Sequence, residues 1–340
     1  MTLSHPLLEP LRELHEIIVD GVVRATLSRS LDQLAEVADD GEGDTIYAVD
    51  RVSEELLVRE LSRHAERLGG IVLIAEGVAS GELTLPEGRD ASLCRYRVIV
   101  DPIDGTRGFM YQKRPAWVLT GVAPNHGPDT RLSHVELAVQ SELPLLKQRY
   151  RDQLVALRAQ GVEATRVDLV DGARTQLNLK PSRATHLAHA FVTVCRFFPG
   201  ARDELGALDD ELMFALMGPP PAKKALCFED QYTSTGGQFY ELMAGHDRFI
   251  ADLRPLLSKV LSERGLAPAL CCHPYDVSTA LIAEELGVCL RSPFGEPFDV
   301  PLDIDTDVAW VGYANQELMR RIEPVLVGLL ERRGYSRSLT

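Results

Sequence analysis

Residues 98–106 read Val98-Ile99-Val100-Asp101-Pro102-Ile103-Asp104-Gly105-Thr106. The apolar run predicts a buried strand, and the two carboxylates fall where that strand breaks into a turn. Pro102 fixes the backbone between them, and Gly105 lets the chain turn sharply. Carboxylates at the end of a buried strand are costly unless a cation sits between them. A hard divalent metal, which prefers oxygen ligands, is the usual solution. Gly105 and Thr106 then offer backbone N–H groups and a hydroxyl, which suit a phosphate. The stretch therefore points to metal-dependent phosphate chemistry.

Working outward, two more acids stand at predicted element boundaries. Glu76 follows the apolar run Ile71 to Ala75, and Asp276 precedes a helical segment that starts near Ser278. With Asp101 and Asp104 they would bring four negative charges to one cleft, a concentration that two or three Mg²⁺ ions would compensate. Such ions favour direct in-line attack by water on a phosphate monoester, with no covalent enzyme intermediate.

The remaining pattern mixes helices and strands. Apolar residues at helical spacing over 7–27 predict an amphipathic helix. Ser53 is placed to cap a second helix carrying Leu57, Leu61 and Ala65, which Gly69-Gly70 ends. Strands are expected at 71–75, 95–100, 117–123, 134–139, 191–194, 249–252 and 309–312. Residues 143–160 have mixed helical character, 171–184 read as an irregular connector, and 39–44 as a polar loop. Further helices are expected at 204–216, 238–244, 254–263, 278–286 and 316–332, with Gly218-Pro219-Pro220-Pro221 as a firm break. The absence of a regular βαβ period predicts an α+β or layered α/β fold.

Bulk properties exclude several classes. The chain has 340 residues, with 45% hydrophobic and 25% charged residues, ordinary values for a globular protein long enough for two domains. A net charge of −14 argues against nucleic acid as the main partner, while a metal-loaded cleft still accepts a small phosphorylated metabolite. The six cysteines form no C-x-x-C pair. No apolar run reaches the length of a membrane span, and no secretory leader is evident, so a cytoplasmic location is expected.

The hexapeptide Asp101 to Thr106, with Glu76 upstream and Pro274-Tyr275-Asp276-Val277-Ser278 downstream, resembles the inositol monophosphatase superfamily. The resemblance covers roughly residues 10–125 and 230–325. It implies a layered α-β-α-β-α sandwich of the sugar-phosphatase type. It also implies hydrolysis of an inositol, histidinol or adenosine-bisphosphate class of phosphate with Mg²⁺, lithium sensitivity and a homodimer. Residues 1–183 would form an N-terminal α+β domain with the metal and phosphate motifs. Residues 184–340 would form a C-terminal α/β domain supplying Asp276 and substrate contacts.

By position, the resemblance assigns Glu76, Asp101 and the Ile103 carbonyl to one metal, and Asp101, Asp104 and Asp276 to another. Asp50 would pair with Thr106 to orient the attacking water, and Gly105 and Thr106 would receive the phosphate. Asp252 and Arg254 lie where relatives place substrate-hydroxyl contacts. Arg107, next to the phosphate motif, is placed to reach a substrate anion. There are departures: Gly77 stands where a second Glu is common, Tyr275 where Trp is common, and the stretch 126–185 does not match the small family members.

Blander readings stand beside these. Aspartates form turns, Asp276 is also a plausible helix cap, and His273 without a helical partner reads as structural. Trp117 reads as core, Lys223-Lys224 as a solvated pair, and Gly236-Gly237 either as a close backbone approach or as loop flexibility. An aspartyl-phosphate mechanism is disfavoured because an apolar residue stands where its nucleophile is needed, and no P-loop is present. The non-enzyme alternative is a catalytically silent metal- and phosphate-binding relative acting as a sensor.

Overall fold

A computed structural model describes residues 3–28, 37–39, 46–78 and 81–335, without the side chains of 37–39 and 46–52. The apolar runs of the sequence become the centre of an eight-stranded sheet. Its strands are β3 (Ile71–Ala75), β4 (Glu82–Leu85), β5 (Tyr96–Asp104), β6 (Ala116–Pro124), β7 (Leu137–Leu143), β8 (Tyr150–Leu157), β9 (Gly161–Asp168) and β10 (Arg174–Gln176), in the order β10-β9-β8-β7-β6-β5-β3-β4. Only β3 and β5 run parallel; every other pair is antiparallel. A two-stranded ribbon, β1 (Val37–Asp39) with β2 (Ile46–Tyr47), precedes it.

Both faces of this sheet are buried, and alternate residues feed two cores. Val98 and Val100 of β5 pack with Leu11, Leu14 and Ile18 of α1 (Leu8–Ser28) and Leu57 and Leu61 of α2 (Ala48–Ala65). Ile99 between them joins a second core on the other face, with Phe239 of α5 (Thr235–Met243) and Ile282 of α7 (Ala280–Glu285). Beyond those helices lies a four-stranded sheet, β11 (Phe191–Val194), β12 (Asp247–Asp252), β14 (Trp310–Tyr313) and β13 (Cys289–Arg291), in that spatial order. Helices α4 (Arg202–Met217) and α8 (Gln316–Arg332) pack together and against it. The layers run α1/α2, large sheet, α5/α7, small sheet, α4/α8. This is the α-β-α-β-α sandwich the sequence led us to expect. Two short helices complete the set, α3 (Thr106–Met110) and α6 (Ser258–Glu263). The chain passes between the sheets within 177–190, the stretch that holds the expected division at 183/184.

Several local expectations differ. Residues 143–160 are not helical: they end β7 and form β8, whose residues after Tyr150 are all buried. The polar residues there disguised a strand, because each is buried against a partner. Arg151 pairs with Glu16, Asp152 with Arg166, and Gln153 donates to Ser141. The segment 171–184 contains a short strand, β10. The expected strand 134–139 begins later, at Leu137, after a 3₁₀ turn over Leu132–His134. The second helix starts at Ala48, so Ser53 lies inside it and is buried rather than capping. Strands β4, β9 and β13 had no sequence signal strong enough to place them. Most of the polar loop 39–44 lies outside the described residues.

Among the described residues, no helix is long and apolar enough to cross a membrane. All six cysteines are free.

Candidate metal and phosphate centre

The cleft forms where β5 leaves the large sheet. Residues three apart on a regular strand face opposite ways. Here the register against β6 shifts: Asp101 pairs with Leu119 and Asp104 with Trp117, so Pro102 and Ile103 together oppose one residue. This bulge turns both carboxylates to the same side, a re-aiming that bulges commonly perform. Gly105 follows at φ 95°, in the left-handed region, and a Cβ there would lie 2.9 Å from Cβ of Ser234. Both the turn and the packing therefore require glycine. α3 starts at the next residue.

Asp276 arrives from the far half of the chain, in the tight turn before α7. Carboxylate oxygens of Asp101, Asp104 and Asp276 lie within 4.8 Å of one another. Glu76, at the end of β3, lines the same cleft without joining that closest set. Backbone and hydroxyl donors hold each acid. Ile103 N donates to Asp101 Oδ1 at 3.0 Å, and His273 N donates to Asp276 Oδ2 at 2.6 Å. Asp104 receives Ser234 Oγ at 2.7 Å and Gly236 N at 2.6 Å on Oδ2, and Thr235 N at 3.2 Å on Oδ1.

These contacts orient the acids but do not neutralise them. Burial first, and then the neighbouring carboxylates, push Asp101 and Asp276 well above the usual range. Burial raises Asp104 to about 6, even though its hydrogen-bond donors, Ser234 first, pull the other way. Among the described residues, no Lys or Arg is ion-paired with the three. The cation nearest in effect, Arg254, lowers Asp276 only as the smallest of its influences. An all-oxygen donor set with this much repulsion fits a hard divalent cation. The Ile103 carbonyl accepts Thr106 Oγ1 at 2.8 Å, so the expected carbonyl ligand and the expected water-orienting hydroxyl are in contact.

The other expected residues divide. Gly105, Thr106, Arg107 and Arg254 line the cleft. Asp252 does not: its carboxylate is fully buried and takes Arg254 Nε at 2.8 Å and Nη2 at 2.5 Å. The role expected for it, direct contact with substrate hydroxyls, is not what this geometry provides; it orients Arg254 instead. Asp50 lies in α2, but its side chain is outside the described residues.

Some residues that shape the centre carried no readable signal. Gln140, fully buried on β7, donates from Nε2 to Gly236 O at 2.8 Å and accepts Thr279 Oγ1 at 3.0 Å. It thereby ties the segment that grips Asp104 to the segment that carries Asp276. Ser234 was likewise unmarked, as were Phe197 and Phe198, which also line the cleft. Only Gly236-Gly237 gave a hint, and the close-approach reading holds: a Cβ on Gly236 would meet Leu119 Cδ2 at 2.5 Å and Asp104 Oδ2 at 2.9 Å. The blander readings hold for Trp117, which is core and donates Nε1 to Tyr232 at 3.1 Å, and for the exposed Lys223-Lys224. His273 stacks on Tyr275 at the cleft edge.

Residues 6–130 match the model of the inositol monophosphatase family, and the resemblance drawn from the motifs is shown. The fold is that of solved structures from the same group. The extragenic suppressor protein SuhB from Bartonella henselae is 14% identical, covers 95% of this chain and 98% of its own, and superposes with a TM-score of 0.63. An IMPase from Thermotoga maritima is 14% identical over 96% of this chain and 99% of its own, with a TM-score of 0.59. An inositol monophosphatase–fructose 1,6-bisphosphatase is 14% identical over 93% and 99%, with a TM-score of 0.58. No curated protein sequence matches the chain.

Proposed function

We propose that the protein is a Mg²⁺-dependent phosphatase that hydrolyses a small-molecule phosphate monoester by direct attack of water. The observation that carries this reading is the meeting of three buried carboxylates from distant segments, Asp101, Asp104 and Asp276, with no ion-paired cation among the described residues. Glu76, Asp101, the Ile103 carbonyl, Asp104 and Asp276 would hold two or three Mg²⁺ ions. Bound Mg²⁺ supplies activated water and stabilises charge on the phosphoryl and leaving oxygens.

The chain's own groups do the rest. Asp101 and Asp104 are pre-aimed by the bulge and by their backbone donors, so little reorganisation is needed on loading. Thr106, with Asp50, orients the attacking water. The Gly105-Thr106 turn receives the phosphate, and Arg107 stands beside it. The family match over 6–130, which includes the hexapeptide, and the IMPase-type fold support the assignment.

The test is phosphate release from p-nitrophenyl phosphate with Mg²⁺ present in excess. Turnover that EDTA abolishes and Mg²⁺ restores is the expected result. Turnover indifferent to chelation overturns the metal-dependent reading. Mg²⁺ binding without turnover on any phosphate monoester would instead identify the silent relative.

A further inference from the structure

Gln140 is a polar side chain set into an apolar layer. It stands directly opposite Leu119 in the β6–β7 register, and Leu119, Ala138, Phe239 and Ile282 all belong to the core on that face. The residue is fully buried. Burying an amide costs free energy unless its polar ends are hydrogen-bonded. Both ends are used here, and each reaches a different arm of the centre. Nε2 donates to Gly236 O at 2.8 Å, and Oε1 accepts Thr279 Oγ1 at 3.0 Å. A carbonyl oxygen can only accept, so Gly236 fixes which way the amide faces.

Each contact lies one short step from a carboxylate. The N–H of the same Gly236 donates to Asp104 Oδ2 at 2.6 Å. Thr279 comes three residues after Asp276, in the run of tight turns that opens α7: His273 O accepts Asp276 N, Tyr275 O accepts Ser278 N, and Val277 O accepts Ala280 N. Thr279 holds the position before the first residue of α7, where a hydroxyl ordinarily caps the helix. Its side chain makes no capping bond and is spent on Gln140 instead. The same two arms are pressed onto β6. A Cβ on Gly236 would lie 2.5 Å from Leu119 Cδ2, and a Cβ on Gly121 would lie 2.7 Å from Ser278 O. Contact with β6 sets how near each arm lies to the sheet, and the bonds to Gln140 set how near the arms lie to each other. That spacing matters because Asp104 and Asp276 bring like charges within 4.8 Å.

We propose that Gln140 is a positioning residue that holds the Asp104 and Asp276 arms at the spacing of a shared cation, so that the Thr279–Gln140–Gly236 clamp sets how tightly the centre binds Mg²⁺. The inference rests on the metal-dependent reading above. It concerns affinity for the ion and not the choice of substrate, since Gln140 lies outside the lining of the cleft. Without the clamp the repelling arms spread in the metal-free protein and must be drawn together on loading. That reorganisation is taken from the affinity for the ion.

Mn²⁺ binding to the metal-free full chain, read as loss of the free-ion EPR signal, tests this without turnover. Gln140→Leu removes both bonds and keeps a side chain of similar bulk. It should raise the Mn²⁺ Kd by about 10-fold or more, the scale on which a group behind a metal ligand acts. Thr279→Val should raise the Kd as well, and Thr279→Ser, which keeps the hydroxyl, should match the parent. The double variant Gln140→Leu/Thr279→Val should bind no more weakly than Gln140→Leu alone, because Thr279 acts through the amide. At saturating metal, KM for p-nitrophenyl phosphate should be the same in all of them. A lower Tm with an unchanged Kd would make Gln140 a packing residue and overturns the inference, as does a double variant whose losses add. If Gln140→Leu does not fold, the Thr279 pair decides: a Kd raised by Val and restored by Ser supports the clamp, and equal Kd values refute it. A parent that binds no Mn²⁺ overturns the metal-dependent reading and the clamp with it, whereas a parent that binds alongside variants of equal Kd overturns the clamp alone.

Discussion

Two polar clusters are buried on opposite faces of the large sheet, and they are built on opposite principles. On the face toward α1, Thr120 of β6 and Ser141 of β7 meet His15, which contacts Thr120 Oγ1 at 2.8 Å and Ser141 Oγ at 3.0 Å. Gln153 adds a bond to Ser141 at 3.0 Å, and Arg151 pairs with Glu16 nearby. His15 is fully buried and its pKa falls to about 3, first because burial disfavours the charged ring and then because Arg151 is close. The ring stays neutral and both its nitrogens have partners. On the other face, Asp101, Asp104 and Asp276 have oriented donors, yet burial and then the neighbouring carboxylates raise Asp101 and Asp276, and burial raises Asp104. In the first cluster both nitrogens of His15 find partners within the chain, and Arg151 has its counter-charge in Glu16 although its Nη1 is left without a hydrogen bond. The second has every hydrogen bond needed to fix its geometry and lacks only positive charge. A fold that balances the charge of one polar cluster and leaves the other charged is holding the second for something from outside.

The sharpest way to break that contrast is to remove one charge from the open cluster. Asp104→Asn keeps most of the volume and removes a metal-facing carboxylate. Phosphate release should fall by about 10³-fold or more, the scale of losing an electrostatic group at a reacting centre. Metal-free stability should change little, because the relieved repulsion offsets the acceptor that the amide nitrogen no longer offers to the donors around it. The rise in Tm that saturating Mg²⁺ gives the parent through binding linkage should shrink. Calorimetry with and without Mg²⁺ reads both. A variant that stays fully active removes Asp104 from the centre.

A smaller effect probes the orientation of the open cluster with its charges left in place. Gly236→Ala puts a methyl 2.9 Å from Asp104 Oδ2 and 2.5 Å from Leu119 Cδ2. The Gly236 N–H bond to Asp104 must then lengthen or Leu119 must move. Overpacking of this kind costs about 1–3 kcal/mol. Misplacement of a group at the reacting centre by a fraction of an ångström should cost roughly 10–100-fold in kcat. The measurement is kcat beside the denaturant midpoint. An active variant with unchanged midpoint would mean that the backbone approach at Gly236 does not set the carboxylate.

The same contrast explains what could be read before the structure was seen. The open cluster announces itself locally: Asp101 to Thr106 is one contiguous signal, and Glu76 and Asp276 sit at ends of predicted elements. Among the described residues no Lys or Arg is ion-paired with Asp101, Asp104 or Asp276, so these acids stand out in the sequence. Complete clusters are harder to read, since their polar residues imitate surface. Arg151, Asp152 and Gln153 gave 143–160 a mixed helical character, though each is buried against a partner from another element. The contact with substrate hydroxyls expected of Asp252 came from the resemblance, and in the structure Arg254 folds back on that carboxylate instead. Gln140 and Ser234 act through contacts between the two halves of the chain, Gln140 to Gly236 and Thr279 and Ser234 to Asp104. The order of helices and strands leads only to an α+β or layered α/β class, and the five-layer arrangement came from the resemblance; the lining of the cleft depends on which loop meets which, and sequence pattern does not carry that.

The smallest effect belongs to the complete cluster and shows as a slope against pH. Folded His15 titrates at about 3, whereas an unfolded histidine titrates near 6.5. Between these values the unfolded chain binds a proton that the folded chain refuses, so stability is lost as pH falls below 6.5. At pH 5 the loss attributable to this ring is about 2 kcal/mol, since each pH unit across the window is worth about 1.4 kcal/mol. His15→Leu gives up the contacts to Thr120 and Ser141, so its Tm at pH 8 should be lower than the parent's. It should nonetheless lose less stability than the parent between pH 8 and pH 5, because the residue no longer titrates. Urea midpoints at the two pH values with EDTA present, so that metal linkage at the opposite face does not contribute, measure the difference. Equal slopes in parent and variant would show that His15 accepts a proton in the folded state. The cluster on the α1 face would then be as dependent on an external charge as the one across the sheet.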